Sequence, residues 1–185
     1  MAKAITTHHT WLRSASLRVT RARFVLLFVV GVSVLVFNAA HLMPPPIIEQ
    51  RVIITTAAIA FNIAAWYLSH RYTTNTGYYR YLLIAQIFAD VIFVAFMIYT
   101  DRGVASRGVM LFAVPMVVAA TLVNKSVLYG TAALCTAAYT FVGMHYFYVH
   151  PNEMIHAELY GIMALYSAVF FVMAAMLWAV VRARK

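Results

Sequence analysis

Tyr81–Arg107, YLLIAQIFADVIFVAFMIYTDRGVASR, decides the fold. Its first twenty residues form an apolar run interrupted only by Gln86 and Asp90. A spanning helix needs about 20 predominantly apolar residues, so the run is long enough to cross a bilayer. A short polar loop, Asp101 to Arg107, follows before apolar sequence resumes. A carboxylate at mid-depth costs on the order of 2.5–3.5 kcal/mol on insertion scales, so Asp90 is expected to face a protein interior. Gln86 lies one turn earlier on the same helical face.

The rest of the chain repeats this pattern. Of its 185 residues, 64% are hydrophobic and 10% charged, with a mean hydropathy of +0.83. Soluble domains carry about 25% charged residues, so the composition is that of an all-α integral membrane protein. Apolar runs use up nearly the whole sequence and leave no length for a soluble catalytic domain. The single cysteine, Cys135, excludes an internal disulfide and a multi-cysteine metal site. The net charge of +9 does not point to nucleic acid, because the basic residues sit at the ends of apolar runs.

Working outward, residues 1–23 read as a basic cytoplasmic arm whose Trp11, Leu12 and Leu17 would lie along the inner leaflet. Residues 24–181 read as a bundle of six transmembrane helices. The expected spans are Phe24–Met43, Ile47–Ser69, Tyr81–Thr100, Gly108–Val123, Ser126–Tyr148 and Glu153–Val181, followed by a tail at 182–185. Pro44-Pro45-Pro46 should end the first span and Pro115 should kink the fourth. With the N-terminus inside, eleven of the 14 Lys and Arg residues fall on the inner side, leaving only Arg51, Arg102 and Arg107 outside. This positive-inside bias places both termini in the cytoplasm of a prokaryotic inner-membrane, multi-pass protein.

Three groups of residues are candidates for chemistry. Asp90, Gln86 and Asn62 form the expected polar core, with Asn62 as hydrogen-bond partner from the second span. The bland alternative is a carboxylate that merely ties two helices together. His145, His150, Glu153 and His156, with Glu158 and His41 nearby, gather at the outer side. Imidazole and carboxylate suit zinc, copper or nickel, or a pH response, although the spacing matches no strong metal motif and interfacial histidines often serve only as anchors. No other cofactor is expected. Gly161, Ala164, Ala168, Ala175 and Ala179 make a small-residue stripe for helix packing, read as facing the bundle interior or a second copy in a homodimer, with the interior preferred. The tyrosines and tryptophans at span ends, Trp66, Tyr79, Tyr81, Tyr146 and Tyr148 among them, read as aromatic belts. The two halves show no internal repeat, which argues against an inverted-repeat transporter.

The basic arm, six short-looped spans, Asp90, the loop Tyr99 to Arg107 and the following AVPMVVAATLVNKSVLYGTAAL together resemble the N-terminal membrane domain of type IV pilus regulator (PilS-like) sensor histidine kinases. The likeness covers most of the chain and centres on 81–133. It implies a signal-input module that senses within the membrane and transmits through its last helix to a histidine kinase and response regulator pathway, or to another membrane protein. It carries over Asp90, with the turn at Gly103 and Ser106 behind it. The kinase lobes of that family are absent from these 185 residues, so the chain itself is expected not to be an enzyme. The rival reading is the membrane substrate-binding subunit of a small-molecule importer.

Overall fold

A computed structural model describes residues 2–40, 44–71, 76–101, 106–149 and 157–183. Every regular element among them is helical: α1 (Ala2–Ala39), α2 (Pro45–His70), α3 (Thr76–Thr100), a 3₁₀ helix (Arg107–Phe112), α4 (Ala113–Thr121), α5 (Lys125–Val149) and α6 (Ala157–Ala183). The reason is the solvent. Hydrocarbon offers no partner for backbone N–H and C=O groups, so an apolar run of this length must satisfy them within itself. Five of these helices, α1, α2, α3, α5 and α6, are long and apolar enough to span a membrane; the apolar helical stretch Gly108–Thr121 is shorter.

Contacts divide the chain into two compact units, Met1–Gln86 and Ile87–Lys185. The first contains α1, α2 and the opening turns of α3. α1 and α2 run antiparallel, because Arg13 reaches the His70 carbonyl at 3.2 Å and Ser16 meets Ser69 at 2.7 Å. The prolines act as a helix start. Pro44 is the N-cap, and its carbonyl accepts from Ile47 and Ile48, while Pro45 and Pro46 fill first-turn positions whose N–H groups would lack a partner anyway. α2 therefore begins at Pro45, two residues before the expected Ile47. At its other end, Tyr78 and Tyr79 donate to the Leu68 and Arg71 carbonyls, tying the start of α3 to the end of α2. Tyr79 is only 1% exposed, a core residue where an aromatic belt was expected.

α1 runs across the expected boundary between arm and span without a break. Its 38 residues correspond to about 57 Å, roughly twice the hydrocarbon thickness. The segment Leu12–Arg23, expected as an arm along the inner leaflet, is helical and packs within the first unit: Leu12, Ala15, Ser16, Thr20 and Arg23 are buried, with Ser16 and Thr20 bonded to α2 and Arg23 to α3.

The second unit is built on aromatic packing. Phe112 and Phe170 meet edge-on at 5.4 Å, and Tyr139 packs edge-on against Tyr166 at 5.7 Å and Phe170 at 6.3 Å. The expected fourth span is a 3₁₀ segment followed by nine residues of α-helix, together about 25 Å of rise. Pro115 consequently falls in the first turn of α4, where its missing N–H costs nothing, and not in the middle of a long helix. This short element carries much of the unit's core, since Val109, Phe112, Met116 and Ala119 are all at most 1% exposed.

The small-residue stripe of α6 faces outward. Gly161, Ala164, Ala168, Ala175 and Ala179 are exposed and Met163, Phe170 and Ala174 form the buried face, so the stripe is not used for packing within the second unit, where internal packing had been preferred over a second copy. The physical reason is spacing: edge-on rings at Phe170 and Tyr166 hold α6 against its neighbours, so the close backbone approach that small residues permit is not used there.

Candidate functional site

The most polar buried region lies in the first unit, along the α1–α2 seam and its junction with α3. On α1, Ser16, Thr20 and Arg23 recur at helical spacing; on α2, Arg51, Thr55, Asn62 and Ser69 do the same. All seven are at most 6% exposed. Ser69 donates to the Ala65 carbonyl at 2.7 Å, which uses its only proton, so Ser16 is the donor in the 2.7 Å contact between the two hydroxyls. Thr20 donates back to the Ser16 carbonyl at 2.9 Å. Asn62 then donates through Nδ2 to the Thr20 carbonyl at 3.2 Å. The result is a ladder of hydroxyl and amide groups between two otherwise apolar helices.

The ladder ends at Gln86. Arg23 crosses from α1 and donates through a guanidinium nitrogen to the Gln86 backbone carbonyl at 2.7 Å. Such a bond from a charged donor is stronger than its neutral counterparts. The Gln86 side chain is fully buried, yet neither its Oε1 nor its Nε2 has a hydrogen-bond partner among the described residues. Asn62 Oδ1 is in the same position. Each such group forfeits about 1–3 kcal/mol relative to a satisfied one. A folded chain tolerates this where the strain serves a purpose, and local conflicts of this kind concentrate at functional positions.

Of the residues expected to form the polar core, Gln86 and Asn62 are thus both buried in this unit. The Asn62 amide is engaged with α1, where the sequence reading had paired it with Asp90. Asp90 sits one turn beyond Gln86 on α3, in the second unit, and is half-buried. Ser106 is 4% exposed: its hydroxyl donates to Asp101 Oδ2 and accepts from the Gly108 N–H, both at 2.9 Å, which anchors the start of the 3₁₀ helix. Gly103 lies outside the described residues.

Sequence reasoning missed Arg23 and Arg51, assigning both to the membrane edges. The signal was present in their register. Ser16, Thr20 and Arg23 fall on one α1 face with Leu27, and Arg51 and Thr55 on one α2 face with Asn62, the spacing of a packed seam and not of a solvated end.

His145 is exposed. It stacks with Tyr99, at 5.7 Å and 26°, and with Phe141, at 6.0 Å and 2°. His41, His150, Glu153 and His156 lie outside the described residues, as does the Glu158 side chain. Among the described residues no three His, Cys, Asp or Glu side chains come together as a metal-binding group.

Helices of this length and apolarity, with large exposed residues such as Phe28, Ile53, Phe88 and Val172 along their outer faces, define an all-helical protein suited to a lipid bilayer. No protein-family model, curated protein or solved structure matches the chain.

Proposed function

We propose that this chain is a membrane-embedded signal-input module of the PilS-like sensor kinase type. In this reading six helices cross a prokaryotic inner membrane with both termini inside, and the polar seam acts as a two-state element that biases α6. The observation that carries the reading is Gln86, a fully enclosed amide with two unsatisfied polar atoms, held through its backbone by Arg23. A small slide of α3 against α1 that gave this amide a partner would offset about 1–3 kcal/mol. Two arrangements separated by a few kcal/mol leave the minor one populated at roughly 0.1–10%, within reach of a ligand or a change in the membrane that favours one of them. An apolar core would lack such an alternative.

The test joins α6 to a cytoplasmic histidine kinase core and measures basal autophosphorylation in nanodiscs. Gln86→Leu removes the orphaned amide at nearly constant volume and should fix the output at one level, with helicity unchanged. Asp90→Asn should shift basal output while leaving the chain folded. Wild-type output from both variants would refute the proposal.

A further inference from the structure

The second unit contains a feature that the signalling reading does not use. An open-sided trough of about 450 Å³ runs between the outer halves of α3 and α5. Its lining includes Ala95 and Phe96 on α3 and Ala138 and Phe141 on α5, and we take the small alanines as its floor and the exposed phenylalanines as its walls. Tyr99 and His145 close one end. We propose that this trough is a binding site for one acyl chain of a bilayer phospholipid, with the head group held at the Tyr99–His145 end.

Position argues for this occupant first. Tyr99 is one residue from the end of α3 and His145 four from the end of α5, so the closed end lies at the level where both helices finish. The lining continues back to Ile92, seven residues or about 10 Å of helix towards the middle. One leaflet of hydrocarbon is about 15 Å deep, so the trough follows a single chain from the interface most of the way to the midplane. Its volume falls within the range of about 300–1,000 Å³ typical of small-molecule sites.

Chemistry makes the same distinction between the two ends. The floor and walls are alkyl and aromatic, and they open sideways past Phe96 and Phe141, which are 52% and 71% exposed. A ligand arriving laterally from the bilayer needs no aqueous route. At the closed end the imidazole stacks with two rings, Tyr99 and Phe141. Stacking orients the imidazole while leaving it exposed, so that its ring N–H can donate to a phosphate or ester oxygen at the interface. Ala95 and Ala138 bring only methyl groups to the lining, beside the larger rings of Phe96 and Phe141. Leu165, Val169 and Val172 of α6 are likewise exposed and provide an apolar face for comparison. The assignment is independent of the signalling role.

The experiment uses the full chain in nanodiscs containing phosphatidylglycerol with a diazirine at mid-chain, followed by photolysis and peptide mapping. Cross-links should be several-fold denser, per exposed residue, on Ile92–Tyr99 and Ala138–His145 than on Leu165–Met176 of α6. Ala138→Leu fills the floor and should remove this excess while leaving α6 labelling and helicity unchanged. If that variant does not fold, Phe141→Ala, on the exposed wall, should lower the excess instead. Uniform labelling of all exposed faces, or an excess that survives both substitutions, would overturn the assignment and leave ordinary boundary lipid.

Discussion

Replacing Asn62 by leucine tests whether the polar seam is retained at a cost to stability. The substitution keeps side-chain volume and shape close to constant in a site that is 1% exposed, so packing changes little. The variant loses the Nδ2–H bond to the Thr20 carbonyl, which measures 3.2 Å. Interhelical bonds between membrane helices contribute about 0.6 kcal/mol on average and up to about 1.7. The Thr20 carbonyl keeps its place in the backbone ladder of α1, so the change leaves no new orphan. Against this loss, the variant removes the unsatisfied Asn62 Oδ1, a burden of about 1–3 kcal/mol. The two terms give a net change from slightly destabilising to about 2 kcal/mol stabilising, centred near 1. Reversible unfolding in bicelles, followed by steric trapping, resolves a difference of this size. Destabilisation of more than about 2 kcal/mol would refute the reasoning, because it would mean that Oδ1 is fully satisfied in the membrane. If the proposed signalling role holds, the same variant in the kinase fusion should reduce the range over which output varies, since it removes an unsatisfied polar group from the seam.

Three further outcomes follow from local geometry. Val123 adopts a φ of 51° in the turn between α4 and α5, a conformation that costs an L-residue about 1–2 kcal/mol; allowing for the greater freedom of glycine when unfolded, Val123→Gly should stabilise the chain by up to about 1 kcal/mol, read as a higher midpoint of unfolding. Asn124 Oδ1 accepts from the Ser126 and Val127 N–H groups at 2.9 and 3.3 Å, so Asn124→Ala should destabilise the chain by about 0.5–2 kcal/mol; a neutral result would show that α5 does not depend on this cap. The Ser16–Ser69 contact links α1 to α2, and a double-mutant cycle with alanine at both positions should give a favourable coupling of about 0.6 kcal/mol, whereas zero coupling would place the two hydroxyls apart in the bilayer.

Much of the fold was legible because the bilayer narrows the choice of backbone. Tyr81–Thr100 is helical in the sequence reading and in the structure, with α3 extended only to Thr76. α5 begins at Lys125, one residue before the expected Ser126, and Asn124 caps it there. The errors arose where hydropathy and hydrogen bonding part company. The arginines up to Arg23 break the apolar run but not the helix, because α1 continues as long as its carbonyls find N–H donors. Gly108–Val123 has the composition of a span, but local geometry divides it between a 3₁₀ segment and a short α-helix. At Gly108 a Cβ would lie 3.0 Å from the Ser106 hydroxyl that caps this segment, a constraint that only the folded backbone exposes.

The candidate site was half legible. Gln86 and Asn62 stand out in the sequence because polar groups are rare in spans and demand an explanation. Their partners do not stand out, because a helical face has no identity until another helix covers it. Run length and the backbone's need to satisfy itself in hydrocarbon made the all-helical class, the approximate limits of α2, α3, α5 and α6, and the polar residues within them readable from the sequence, whereas the expected fourth span proved to be a shorter element and α1 a longer one. Only the tertiary structure decided that Arg23 turns inward to the Gln86 carbonyl, that Asn62 bonds to α1, and that the alanines of α6 face outward. Burial and pairing are properties of two surfaces in contact, and a sequence specifies each surface without stating which other one it meets.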